Sequence, residues 1–346
     1  MRHDVPQLVI STSPYLKRPV DTPVVMRHVL YALAPVVLAS VYYFGISAFM
    51  VIASCVAGAT LTEWVFMGRG KVRESHVADG SAIVTAVLLA LTLPPGIPMW
   101  MAFLGAVVAI IVGKLLFGGL GHNVFNPSLT GRAFLQASFP VAITTWTTHS
   151  TIGEFLQLRG DTFALPFTSP RVDAITTATP LARMKFEQIP TEITDLLFGQ
   201  IPGSTGETCA VLILLGGAYL AYRRFLQWQI PTSILATVAV FATILHLINA
   251  DKYPGPLHHL LSGGLMLGAV FMASDPVTSP VTPRGTWVFG IGIGFLVVLI
   301  RQFGGLPEGV MYAILLMNGA TPLIDRYTQP KIYGTSKPPK KAKSPA

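Results

Sequence analysis

The sequence predicts an all-α polytopic membrane protein of about ten transmembrane helices. They are expected as two inverted five-helix repeats with broken helices and a long external loop between them. Three observations lead there. Of the 346 residues, 51% are hydrophobic and only 12% charged, about half the ~25% charge usual in soluble chains. The apolar residues fall into runs close to the ~20 that a helix needs to cross a hydrocarbon core of ~30 Å. Those runs divide five and five around one long polar connector.

The spans are expected near 24–43, 45–67, 80–94, 97–117, 124–145, 206–222, 229–249, 257–274, 286–303 and 309–325. Around them the chain divides into a cytoplasmic N-terminal arm (1–23), a first membrane repeat (24–145), an external loop (146–205), a second membrane repeat (206–327) and a basic cytoplasmic tail (328–346). The arm is polar, with Arg2, Lys17 and Arg18, and has no apolar core of a cleavable signal. Span three ends at Pro94-Pro95, span five opens at Asn126-Pro127 and span eight ends at Asp275-Pro276. Irregular backbone at membrane depth survives where protein or a cavity satisfies it, so these breaks should face the interior.

Charge sets the expected orientation. Arg69, Lys71 and Arg73 follow span two, Arg223 and Arg224 follow span six, Arg284 follows span eight, and Lys337, Lys340, Lys341 and Lys343 crowd the tail. Ten spans with both termini in the cytoplasm place all of these on the inner face of a bacterial plasma membrane. The net charge of +8 is then a bilayer signature rather than a nucleic-acid footprint, and the tail suits anionic lipid. Cys55 and Cys209 lie in apolar stretches with no CxxC spacing, so no cysteine-ligated cluster or zinc site is expected.

Two internal echoes support the repeat. The run from Gly80-Ser81-Ala82 to Pro94 parallels that from Ser262-Gly263-Gly264 to Pro276. Asn126-Pro127 in span five parallels Thr321-Pro322 in span ten. Inverted repeats place binding sites at broken helices, as in transporters, so the architecture alone leaves a transporter or channel without redox function open.

The long loop carries Asp173-Ala174-Ile175-Thr176-Thr177-Ala178-Thr179-Pro180-Leu181. This resembles the acceptor motif of proteins that bear FMN through a phosphoester to a threonine hydroxyl. Asp173, Thr176, Ala178 and Thr179 match, whereas Thr177 stands where glycine is usual. An acceptor needs a reachable hydroxyl on extended backbone, and Pro180 disfavours helix at Thr179. Small neighbours let the backbone approach phosphate oxygens. The bland alternative is an ordinary loop turn. Gly58-Ala59-Thr60 and Gly319-Ala320-Thr321 are similar strings, but both lie in apolar spans and have Ser54 and Leu315 where the acid should be.

Other strings appear in a fixed order. They are Ser13-Pro14-Tyr15, Gly80-Ser81-Ala82-Ile83-Val84-Thr85, Leu91-Thr92-Leu93-Pro94-Pro95, Gly121-His122-Asn123-Val124-Phe125-Asn126-Pro127, Pro202-Gly203-Ser204-Thr205-Gly206-Glu207 and Ser274-Asp275-Pro276. With the Thr179 segment, this set resembles the D subunits of Rnf electron-transfer complexes and their paralogue, the B subunit of the sodium-pumping NADH:quinone reductase. The resemblance spans all but the basic tail. It implies a flavin-carrying subunit, not catalytic alone, that relays electrons between ferredoxin and NAD+ while the complex moves Na+ or H+. It implies FMN on Thr179, the A, B, C, E and G subunits as partners, and a flavin transferase for maturation. It further implies a noncovalent riboflavin, which we place at Asn123 and Asn126 with Ser81 and Thr85 as neighbours. Asn126 as a plain helix cap before Pro127 is the competing reading. Gly203 and Ser204 are candidate FMN neighbours at the start of span six, with ordinary capping as the alternative. A scaffold that lost its flavin is a third reading, kept open by Thr177. For the ion path, Glu63, Asp275 and Asp325 all sit at span ends, and Arg132 or His122 are candidate partners for them.

Overall fold

The structure is a computed structural model, described here for residues 21–66, 79–147, 155–166, 178–189, 191–199, 201–207, 209–250, 252–305 and 307–330. Asp173, Thr176 and Thr177 lie outside the described residues, as do Ser13–Tyr15, the loop with Arg69, Lys71 and Arg73, and the basic tail.

Helices α1 (Thr22–Phe44), α2 (Ile46–Phe66), α3 (Ser81–Leu91), α4 (Met99–Gly113) and α5 (Pro127–Ser138) precede the long connector. After it come α6 (Ala210–Tyr222), α7 (Gln229–Ile248), α8 (Pro256–Leu261), α9 (Pro283–Phe303) and α10 (Val310–Thr328). No strand occurs among the described residues. Every expected span contains one of these helices. Five are long and apolar enough to cross a membrane: α1, α2, α4 with its extension to Phe117, α7 and α9. Their outward faces carry Leu38, Trp64, Val240 and Phe295, the apolar exposure that lipid would cover.

The breaks are deeper than the sequence suggests. Span five stops at Phe139, and Pro140–Thr144 forms a separate short helix. Span six begins only at Ala210, because residues 203–207 form a turn instead. Span eight is cut at Ser262–Gly264, before a turn at Leu265–Leu267 and a π-helix at Gly268–Met272. Helix starts share one device. Asn126, Thr179 and Thr282 each precede proline and accept a backbone N–H two or three residues on through the side chain. Proline at the first helical position loses a donor that would be orphaned anyway.

Small residues fix the closest packing. Gly105, Ala109 and Gly113 on α4 recur every four residues and meet Pro127, Gly131 and Leu135 at the same spacing on α5. A Cβ on Gly131 would sit 2.7 Å from the Gly105 carbonyl oxygen, and one on Gly113 would sit 2.6 Å from Pro127 Cα. Such rows let helix backbones approach where burial against lipid supplies little driving force. The neighbour pattern repeats along the chain. In the first half α2 packs on α3 and α4, and α4 on α5. In the second, α7 packs on α8 and α9, and α9 on α10, while α1 meets α6.

Candidate functional site

Three sites emerge where helices break. The first is a cavity of roughly 90 Å³ lined by Ser81, Thr85, Lys114, Asn123, Asn126 and Asp275 among apolar side chains. All four residues assigned to riboflavin from the sequence therefore share one cavity. They do different work there. Asn126 Oδ1 accepts the Ser128 N–H at 3.0 Å and the Ser128 hydroxyl at 2.6 Å, and Asn126 Nδ2 donates to the Met272 carbonyl at 3.0 Å. Its amide is occupied in capping α5 and tying it to the π-helix of the other half. Asn123 is buried and makes only a long 3.4 Å bond to Phe125 O, and its Oδ1 has no hydrogen-bond partner among the described residues.

A charged network walls this cavity. Lys114, 1% exposed, pairs with Glu63, which is fully buried. Lys114 Nζ also donates to Ser81 Oγ at 2.5 Å, and that hydroxyl donates to Asp79 Oδ1 at 2.6 Å. Asp79 takes the Ser81 N–H as well, at 2.7 Å. Gly80, with φ +79, makes the left-handed turn that this start of α3 requires. Glu63 is thus part of a buried ion pair near the end of α2. Embedded acids alone do not point to Lys114, although a lysine inside an apolar run is equally a signal. Asp275 accepts from Val277 N and Thr278 Oγ1, and Asp325 accepts from Val281 N, so both serve turns.

The second site surrounds Thr179. Its backbone is extended, with φ −64 and ψ 156, as Pro180 dictates. The hydroxyl is not exposed, however. Thr179 is 3% accessible, and its Oγ1 accepts the Ala182 N–H at 3.3 Å. The segment is buried because it docks on the break between α8 and Leu265. The His258 ring lies beside the Pro180 carbonyl. Leu181 fills the space over Gly263, whose Cβ would lie 2.6 Å from Leu181 Cδ1 and whose φ is +67. Lys185 Nζ donates to the carbonyls of Arg301 (2.8 Å) and Gly304 (2.5 Å), capping the C-terminal end of α9. Partial burial lowers the Lys185 pKa from its usual value.

Beside this segment opens a cleft of roughly 230 Å³ lined by Leu181, Lys185, Lys252, His259, Arg301 and Gln302, with no acidic side chain among its described lining residues. Arg301 is 2% exposed and donates to His259 O (2.6 Å) and Ser262 O (3.0 Å). Gln302 Nε2 lies 2.8 Å from His259 Nε2, while His259 Nδ1 has no hydrogen-bond partner among the described residues. Cations and an open imidazole nitrogen next to Leu181 suit an anionic or hydrogen-bonding group tethered two residues away. No local motif in the sequence singles out Arg301, His258, His259 or Lys185. Only the docking of three separate segments brings them together.

The third site holds Gly203 and Ser204. They do not open a helix. Thr205 N and Gly206 N donate to Leu93 O (3.1 Å) and Leu91 O (2.7 Å), and Thr205 Oγ1 to Ala90 O (2.7 Å), so the turn caps the C-terminal end of α3. It presents Glu207 inward. Arg132 lies 4.0 Å from Glu207 and 2.7 Å from Glu308. Arg132 therefore pairs with neither Glu63, Asp275 nor Asp325, and His122 is exposed.

Known proteins share this sequence pattern along its length. Residues 9–334 match the model of the NQR2, RnfD, RnfE family. The D subunit of the Na+-translocating ferredoxin:NAD+ oxidoreductase complex of Acetobacterium woodii is 42% identical over 342 residues, covering 97% of this chain and 98% of the relative. The D subunit of the proton-translocating ferredoxin:NAD+ oxidoreductase complex of Clostridium ljungdahlii is 39% identical, covering 94% and 96%. The D subunit of the ion-translocating oxidoreductase complex of Halorhodospira halophila is 37% identical, covering 95% and 96%.

Proposed function

The chain belongs to the NQR2, RnfD, RnfE family, and on that premise we propose that it is the D subunit of an ion-translocating ferredoxin:NAD+ oxidoreductase complex in the bacterial inner membrane. The observation that carries this is identity of about 40% to D subunits along nearly the whole of both chains. The protein acts with its A, B, C, E and G partners and relays electrons rather than turning over substrate alone. We read ten spans in two inverted repeats, with both termini cytoplasmic and the Thr179 loop outside; the repeated helix neighbours of the two halves support the repeat.

FMN is the group we assign to Thr179, through its phosphate. When bound it supplies one-electron chemistry. The residues present fit it. Lys185 anchors the carrying segment to the end of α9, Arg301 and Lys252 bring positive charge, and His259 Nδ1 and Gln302 offer hydrogen bonds in the cleft beside Leu181. Thr179 is buried in the docked segment, so the flavin transferase must reach it before that segment closes. Riboflavin is assigned to the cavity at Ser81, Thr85 and Asn123, where the open Asn123 oxygen suits an N–H donor of a neutral ring. Asn126 supports that cavity as a cap.

The test is a denaturing gel of the chain made with a flavin transferase, viewed under ultraviolet light beside Thr179→Ala. A fluorescent band present in the wild type and lost in the variant supports the covalent flavin. A dark wild-type band in the presence of an active transferase removes it and favours a flavin-free scaffold or transporter.

A further inference from the structure

Arg132, Glu207 and Glu308 come from three different breaks in the fold: the first turns of α5, the turn before α6 and the loop between α9 and α10. We propose that the two carboxylates form a monovalent-cation site, holding one proton or one Na+ between them, on the ion path of the complex. This rests on the translocase reading above.

Two carboxylates face one guanidinium. Arg132 NH2 is bonded to Glu308 Oε2 at 2.7 Å, and its NH1 stands 4.0 Å from Glu207 Oε1, beyond hydrogen-bond reach. Glu207 is 5% exposed. Its Oε2 receives only a long 3.5 Å bond from Ser204 N. Its Oε1 has no hydrogen-bond partner among the described residues, and neither has Glu308 Oε1. A buried ion triad that serves only structure satisfies its lone pairs, because an unpaired buried charge is costly. Here one oxygen of each carboxylate has no hydrogen-bond donor among the described residues.

The other cations nearby direct their hydrogen bonds elsewhere, although the Arg301 charge is felt by both acids. Arg301 spends its guanidinium on the carbonyls of His259 and Ser262, and among the described residues it makes no ion pair within 4.0 Å of either acid. Lys185 points to the carbonyls of Arg301 and Gly304. His258 and His259 belong to the Thr179 side of the same break.

Space is present as well. Glu207, Glu308 and Arg132 line one small cavity of roughly 30 Å³, room for a water or a bare ion, together with Thr92, Gln136, Gly264 and Gly268. A Cβ on Gly264 would stand 3.0 Å from Glu207 Oε1, so glycine keeps the approach open. The cavity offers oxygen ligands to Na+ and a proton acceptor to water. On protonation one carboxylate becomes neutral and Arg132 keeps the other. On Na+ binding the ion takes the place of that proton.

The experiment uses the assembled complex in sealed vesicles, driven by reduced ferredoxin with NAD+ present. Ion uptake per electron and uncoupled electron transfer are read separately. E207Q and E308Q are expected to lose ion uptake per electron while uncoupled electron transfer persists. E308Q, on a loop at the rim, decides the matter if E207Q does not assemble. In the wild type, infrared difference spectra should show a carboxyl band that responds to Na+ if the ion is Na+, or to pH alone if it is a proton. Unchanged coupling in assembled E308Q overturns the proposal, as does a wild-type spectrum with no carboxyl response to either. Absence of ferredoxin:NAD+ activity in the wild-type complex would instead count against the functional reading on which the proposal rests.

Discussion

Asn123 and Asn126 sit three residues apart in one cavity, and their substitution by alanine should have opposite consequences. Asn126→Ala removes the acceptor that caps α5 and the donor that holds the Met272 carbonyl. Loss of an asparagine cap costs about 1 kcal/mol. The Met272 carbonyl keeps only a long 3.4 Å bond from Asp275 N, and a buried acceptor left nearly unsatisfied costs about 1–3 kcal/mol. The sum is roughly 2–4 kcal/mol, and the lost bond joins the two halves of the fold. Asn123→Ala removes a single 3.4 Å contact to Phe125 O, below about 1 kcal/mol, yet it deletes the open oxygen in the cavity. The assay is thermal unfolding of both variants in detergent, with noncovalent flavin extracted and quantified per chain. Asn126→Ala should unfold well below the wild type. Asn123→Ala should unfold close to it and carry less riboflavin. Wild-type stability for Asn126→Ala would refute the cap-and-bridge account. Asn123→Ala that is unstable yet fully loaded would refute the division of roles.

Lys114→Met deprives buried Glu63 of its ammonium partner and should destabilise by about 3–5 kcal/mol. Lys114→Met combined with Glu63→Gln should recover most of that loss in detergent unfolding. Gly131→Ala forces a Cβ to 2.7 Å from the Gly105 carbonyl oxygen, and overpacking of this kind costs about 1–3 kcal/mol, read by the same unfolding assay. Lys185→Met removes the two bonds that hold the Thr179 segment to the end of α9. It should make residues 178–189 cleavable under limited proteolysis while the helices stay intact. Equal protection in variant and wild type would show that Leu181 and His258 suffice to dock the segment.

Composition and periodicity alone determined that this chain is helical and membrane-embedded, because apolar run length is a direct consequence of bilayer thickness. The cap at Asn126 before Pro127 was equally legible, since capping and the proline ring act within a few residues. So was the extended backbone at Thr179, whereas the grouping of Asn123, Asn126, Ser81 and Thr85 came from the resemblance to Rnf D subunits. What tertiary structure decided is which polar groups are already used. Asn126 is spent on Met272, 146 residues away, and Thr179 is buried in a segment whose Leu181 packs on Gly263, rather than offered to solvent. Glu63 finds Lys114, and Arg132 lies between Glu207 and Glu308. These pairings depend on where separate helix breaks meet in space, and no local pattern encodes that distance. Buried charges in an apolar medium must find partners, but only the packed fold shows which ones they found and which carboxylate oxygens were left over.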